Sequence, residues 1–397
     1  MNATSQSPSD SNADRASIAP EDQVPLPPRP NPRRLFGIAV FAALLGLGIT
    51  LSFGYADHAP SPHEIRVATA AAPAIRARVA AGVEHAEPGG FDLVSAPNAH
   101  AASESVRSQT SAGALIVPPS GAVTIVTAGA EGVLQQQSIT AALTAATKSM
   151  RRPTALLDVA RLPSGDRAGL SSFVFGLGLL LPSVIGGIGI FLLGQRLRVW
   201  WRVAAATLFA LLVACGGVLA LGTVLGALTG ASGALIGIGF LGALSFVLFV
   251  AAVQAVAGLP GTALAAVAFI FIGNAVSGGT VPVGFLPDGF RQIATWVPNN
   301  AIVRGARDVV YFNGHDLSHP LLVLGLWSAI ALGIIAVVDL LHLSERRHQP
   351  SNAHEIYRTP ALIHVTRRLK TRPGPARGVS ECARARKTPV LPGGHEA

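Results

Sequence analysis

The residues of this chain that could do chemistry are few, and their spacing removes several chemistries outright. There is no Gly-Lys dipeptide anywhere, so the GxxxxGK[ST] loop that cradles phosphates cannot be built, and ATP hydrolysis through such a site is excluded. A GxSxG nucleophile elbow, an HExxH zinc signature and a kinase catalytic loop are likewise missing. His315 and His319 stand four apart with Asp316 between them, a spacing that would let a helix offer both rings to a metal. Their Asn-Gly-His setting is that of a solvated turn, and no metal is expected there. Three polar residues interrupt long apolar runs: Gln254, Asn274 and Asp339. Polar groups in such runs face the interior of a helix bundle, where an amide bonds to a neighbouring helix or lines a path. Glycines supply the other pattern, with Gly222, Gly226 and Gly230 spaced by four, as are Gly233 and Gly237. Small residues at that spacing let helices approach closely, within one chain or across a dimer.

The elements that must position these residues are membrane helices. Half of the 397 residues are hydrophobic and only 13% are charged. The apolar residues are concentrated, first between residues 34 and 56 and then almost continuously from 172 to 343. Breaks in the second region give spans at 173–194, 203–228, 234–257, 262–283 and 321–343, to which 35–56 adds a sixth. Each has about the length that crosses a ~30 Å hydrocarbon core. Gly54 and Ala56 offer small residues at a cleavage site, but the long apolar run and the residues before it favour a retained anchor.

Charge orients these spans. The tail from 344 to 397 holds 11 Lys/Arg against 4 Asp/Glu, whereas 57–171 is balanced at nine and nine and 284–320 at three and three. The loop around Arg196, Arg198 and Arg202 carries no acid and includes Trp200 and Trp201, a pair suited to a membrane interface. Both termini are therefore expected in the cytoplasm, with 57–171 and 284–320 outside. The net charge of +9 lies mostly in that tail, where anionic lipid is the natural partner and nucleic acid is not. Cys215 and Cys382 fall in different compartments of this scheme and cannot pair.

Residues 1–33 are rich in Ser, Pro, Asn and Asp, and with 344–397 read as disordered cytoplasmic tails. The segment 57–171 reads as a small α+β domain. In it, 64–82 is Ala-rich and helix-prone with a break at Pro73, and 101–110 is a second short helix. Residues 114–117 and 122–127 flank a Pro-Pro-Ser-Gly turn as a β-hairpin. Ile139, Leu143, Ala146 and Met150 then fall on one helical face. The fold class expected is an α-helical polytopic membrane protein of about six transmembrane helices, with a small α+β extracytoplasmic domain between the first and second. Its divisions are 1–33, 34–56, 57–171, a five-helix permease domain at 172–343, and 344–397.

Residues 284–313 alternate Pro or Gly breaks with amphipathic stretches carrying Phe290, Ile293 and Trp296, and then Arg304 and Asp308 at i, i+4. They are expected to form a re-entrant or interfacial helical hairpin. The order here is a Leu-Pro turn, a short helix, Pro298, an Arg304-Gly305-Ala306-Arg307 helix and Tyr311-Phe312 ahead of a final span. It resembles the end of the permease subunits of type-2 ABC exporters, and more specifically the phage-infection-protein-like group. Residues 105–117, Leu162-Pro163 and 169–173 resemble that group too, as does the order of one span, a large outer domain and five spans. The resemblance covers most of 35–343 and implies an export permease, a homodimer, and a separate cytoplasmic ATPase subunit. In such permeases the ATPase is engaged through an amphipathic helix before the first span or a helical cytoplasmic loop; here 1–33 is Pro-rich and 195–202 is short.

No cofactor and no enzymatic activity are expected. The bundle lacks a charged path, so an amphipathic or lipid-like substrate suits the permease reading. The alternative is a non-transporting receptor or assembly scaffold whose outer domain binds a partner. Candidate pathway or packing residues are Gln254, Asn274, Gly226, Gly237, Trp296 and Arg304.

Overall fold

The computed structural model describes residues 32–348, so the polar tails expected at 1–33 and 344–397, with Cys382, lie almost wholly outside the described residues. The described residues open with helix α1, Pro32–Asp57. Its apolar side chains point outward, with Phe36, Leu44, Leu47 and Leu51 all exposed.

A five-stranded mixed sheet follows. In chain order its elements are β1 (Ile65–Ala70), α2 (Pro73–Ala86), β2 (Phe91–Ser95), α3 (Ala99–Arg107), β3 (Gly113–Ile116), β4 (Val123–Thr127), α4 (Val133–Thr147) and β5 (Thr154–Asp158), and the strand order is β2-β1-β3-β4-β5. The hairpin expected from the Pro-Pro-Ser-Gly turn is present, with Ala114 opposite Val126 and Leu115 opposite Ile125. The Ala-rich stretch from residue 64 is not one broken helix. Its first part is β1, paired in parallel with β2 on one side and β3 on the other. A strand flanked on both edges and covered on both faces is decided by burial of Ile65, Val67 and Ala68 more than by the helix preference of alanine. Pro73 starts α2 where a break was expected. Helix α4 presses Ile139 so closely against β3 that a Cβ on Gly113 would sit 2.9 Å from its Cγ2, so only glycine fits there.

The remaining chain is helical: α5 (Ser171–Leu193), α6 (Val199–Val218), α7 (Ser232–Val267), α8 (Asp288–Ala294), α9 (Pro298–Tyr311) and α10 (Ser318–His348). Asp166 caps α5, accepting from the N–H groups of Leu170 at 3.0 Å and Ser171 at 3.2 Å. Among the described residues, five helices are long and apolar enough to cross a membrane: Ala39–Asp57, Ser171–Leu193, Val199–Val224, Ser232–Gly273 and Ser318–Leu341. Their outward faces carry large apolar side chains such as Ile185, Leu193, Leu208, Leu212 and Leu340, and this is the architecture of a multi-pass membrane protein.

The fourth of these runs needs separate account. Straight, its 42 residues would extend ~60 Å, twice the hydrocarbon thickness. Gly258, at φ 63° and ψ −154°, interrupts it in a conformation open essentially only to glycine. Phe269 lies 5.0 Å from Phe246 and 5.1 Å from Phe249 between ring centroids, residues on the other side of the break. The run therefore folds back on itself at Gly258 as a helical hairpin. The second arm differs from the expected span 262–283: its helix ends at residue 275, and 276–282 form a non-helical turn.

Candidate functional site

Helix α9 is the piece that organises the site. Every residue from Pro298 to Ile302, together with Val303 and residues 305–309, is buried. One side packs on α5 and α7, where Ile302 meets the positions of Gly176 and Gly242. The other side faces the sheet-bearing segment. What fixes its depth is a set of polar contacts to backbone that regular structure leaves open. Between Ala268 and Gly273 the hairpin's second arm widens to a π-helix, which leaves carbonyls to be satisfied from outside. Asn299 Nδ2 donates to Phe269 O at 3.3 Å, Asn274 Nδ2 to Ile270 O at 3.2 Å, and Ser52 Oγ of α1 to Phe271 O at 3.0 Å. Asn299 Nδ2 also donates to Asn274 Oδ1 at 3.0 Å, and Asn300 Nδ2 to Ser277 O at 3.0 Å.

Arg307 joins the two halves of the structure. Its Nη1 donates to Gly278 O at 2.9 Å and to Glu131 O at 3.3 Å, and its Nη2 to Gly279 O at 3.3 Å. The guanidinium thus spans the turn after the hairpin and the loop before α4. The fork of fixed donors is what allows one side chain to serve three carbonyls. Burial pushes the Arg307 pKa below its ordinary value, with Glu131 opposing. Glu131 is half-buried, and desolvation pushes its carboxyl above its ordinary value while Arg307 and Arg304 draw it down. Gln109 Nε2 donates to Glu131 Oε1 at 2.9 Å.

Around these groups lies a cavity of about 220 Å³. Glu131, Gln109 and Gln135 line it from the sheet-bearing segment, Ser277 and Gly278 from the turn, and Asn300, Arg304 and Arg307 from α9. Outside the cavity, Asp308 is fully buried and accepts from Asp316 N at 3.0 Å, closing the loop between α9 and α10; burial raises its pKa. Burial also pushes the Tyr311 phenol up to about 12, with Asp166 adding to the shift.

The residues singled out in the sequence fall in different places. Asn274 makes an interhelical hydrogen bond, to Asn299 of α9. Gln254 is buried in the first arm of the hairpin, and neither of its amide atoms has a partner. Arg304 lines the cavity and pairs with Asp316; the i, i+4 partner Asp308 turns inward instead. Trp296 is half exposed, its carbonyl accepts from Trp327 Nε1 at 2.9 Å, and its ring meets His319 edge-on. Gly226 adopts φ +60° in the turn before α7, and a Cβ at Gly226 or Gly237 would meet nothing within 4 Å. Helix approach within the chain happens elsewhere, at Gly187 against Val250, Gly239 against Phe175 and Gly242 against Ile302. Residues 284–313 do form two helices around Pro298, and the second is buried between bundle and sheet. Sequence reading gave no site role to Glu131, Gln109, Gln135, Asn299 or Asn300, and noted Arg307 only as part of a helix pattern. Their one available signal was polarity inside otherwise small or apolar runs, as at Glu131 within TAGAEGV.

Comparison with models of known families, with curated proteins and with solved structures finds no match to this chain.

Proposed function

We propose that the chain is a permease-like component of an export system, carrying an amphipathic or lipid-like substrate and working as a homodimer with a separate cytoplasmic ATPase. In this reading it crosses a bacterial plasma membrane six times, the hairpin folded at Gly258 counting as two crossings. Both termini are cytoplasmic and the sheet-bearing domain is outside. The ion pair between Arg202, near the start of α6, and Asp339, late in α10, supports that arrangement because six crossings bring those two points to the same face. The observation that carries the functional reading is the seating of α9. It is buried against both the bundle and the sheet-bearing segment, with Arg307 bonded to carbonyls of each, so a shift of α5 or α7 is transmitted to the outer domain. The helices α5 and α7 contain no charged residue, which suits a substrate with an apolar body.

One observation favours the alternative of a receptor or assembly scaffold. Phe175, Leu179, Phe246 and Ile302 are fully buried in the bundle core, so the helices are filled with packed side chains. Isolation of the chain from its native membrane in nanodiscs separates the readings. A stoichiometric ATPase that co-purifies, and that stimulates movement of fluorescent phospholipid across proteoliposomes, is the result expected of a permease. Isolation without any ATPase, and with no lipid movement, would overturn it in favour of the receptor.

A further inference from the structure

The cavity between the sheet-bearing segment and α9 has a chemistry that packing alone does not require. Gln135 is only 8% exposed, it lines the cavity, and its amide takes no part in any hydrogen bond. Asn300 is 4% exposed, lines the same cavity and uses its Nδ2 on Ser277 O. Buried amides are ordinarily satisfied, and leaving one unpaired is costly. Gln109 Oε1 and Arg307 Nε, on two further residues of the same lining, are buried without a partner, and a polar guest accounts for them.

The charged groups define what that guest is. Glu131, which lines the cavity, accepts from Gln109 on one carboxyl oxygen, Oε1, and its other oxygen takes no bond from Gln109. On α9, Arg304 commits one amino group to Asp316 and retains further donors. Arg307 contributes positive potential, though its amino groups are held by carbonyls. The lining thus combines one acid, Glu131, with two arginines, Arg304 and Arg307. A purely anionic guest would meet Glu131, and a purely cationic one would meet the two arginines. The volume, about 220 Å³, lies below the ~300 Å³ at which drug-sized pockets begin, so the guest is of metabolite size.

We propose that this cavity binds a small zwitterion of α-amino-acid size, its ammonium group held by Glu131 and Asn300 and its carboxylate by Arg304, with Gln135 bonding between them. The site belongs to the junction itself, so binding tightens the docking of the sheet-bearing segment on α9. This holds whether the protein exports a substrate or receives a signal.

The test uses the full chain purified in nanodiscs, with thermal unfolding and calorimetric titration as readouts. The probes are L-alanine, L-serine and L-glutamine at millimolar concentration. L-alaninamide, which lacks the carboxylate, and N-acetyl-L-alanine, which lacks the ammonium, serve as controls. At least one amino acid is expected to raise the unfolding midpoint by about 2–5 °C while neither control does. Gln135→Leu should weaken that binding at least tenfold without lowering the midpoint of the unliganded protein, because the amide it removes bonds to nothing. Glu131→Gln should abolish the preference for the ammonium. The proposal is overturned if no amino acid shifts the midpoint, if either control matches the zwitterion, or if the shift persists in both variants.

Discussion

Arg307 carries more of this architecture than any other single side chain. Removing it leaves the buried carbonyls of Gly278 and Gly279 and the part-buried one of Glu131 without their donor, at about 1–3 kcal/mol for each buried group left unpaired. Arg307→Ala is expected to destabilise the protein by roughly 3–5 kcal/mol, close to the cost of breaking a buried charged contact. Arg307→Lys should recover little of that, since one ammonium cannot reach three diverging oxygens. Chemical unfolding in detergent, followed by tryptophan fluorescence, measures both. A variant at wild-type stability would mean that the guanidinium is ornamental to the junction. None of this was visible in the sequence, where Arg307 stands beside Arg304 as one of two similar charges on a short helix. Which arginine turns inward depends on the turn at 276–282, whose carbonyls exist as acceptors only after the hairpin's second arm has ended early.

At the scale of elements, close helix packing depends on glycines whose spacing is not the regular one. A Cβ on Gly242 would lie 2.6 Å from Ile302 Cγ1, at the contact between α7 and α9, whereas one on Gly237 would meet nothing. Gly242→Ala is therefore expected to cost about 1–3 kcal/mol through overpacking. Gly237→Ala should stay within about 0.5 kcal/mol in the monomer. Equal effects of the two substitutions on the thermal midpoint would contradict the packing described. The contrast also shows what a sequence can and cannot convey. Apolar runs of membrane length, the β3–β4 hairpin and the buried face of α4 were all legible, because each follows from a local period or a local turn. Strand β1 was not: its alanines prefer helix, and only pairing with β2 and β3, distant in sequence, makes it a strand. Residues 91–95 and 154–158 gave no pattern either, since they are edge strands whose place is set by neighbours.

Seen whole, the molecule is a helical membrane bundle to which a mixed sheet is docked. One apolar cluster joins Ile65, Val67, Leu115 and Ile139 of the sheet-bearing segment to Ala275, Val281, Phe285 and Ala294 that follow the hairpin. Composition anticipated the apolar helices of the bundle, but the sheet reads in the sequence as a separate domain and in space shares its core with residues 275–294. That shared core is why α9 and its cavity sit where they do. The proposed six-crossing topology puts the sheet at the end of the bundle opposite the Arg202–Asp339 pair, across the membrane from the short arginine loop. Membrane-impermeant thiol labelling in intact cells measures this directly, in a background with Cys215 and Cys382 replaced by serine. Single cysteines are placed at Ser120, in the exposed hairpin turn, and at Gln195, in the arginine loop. Labelling of Ser120→Cys in intact cells, with Gln195→Cys reached only after permeabilisation, is the predicted result. Labelling of both positions in intact cells, or of Gln195→Cys alone, would contradict it.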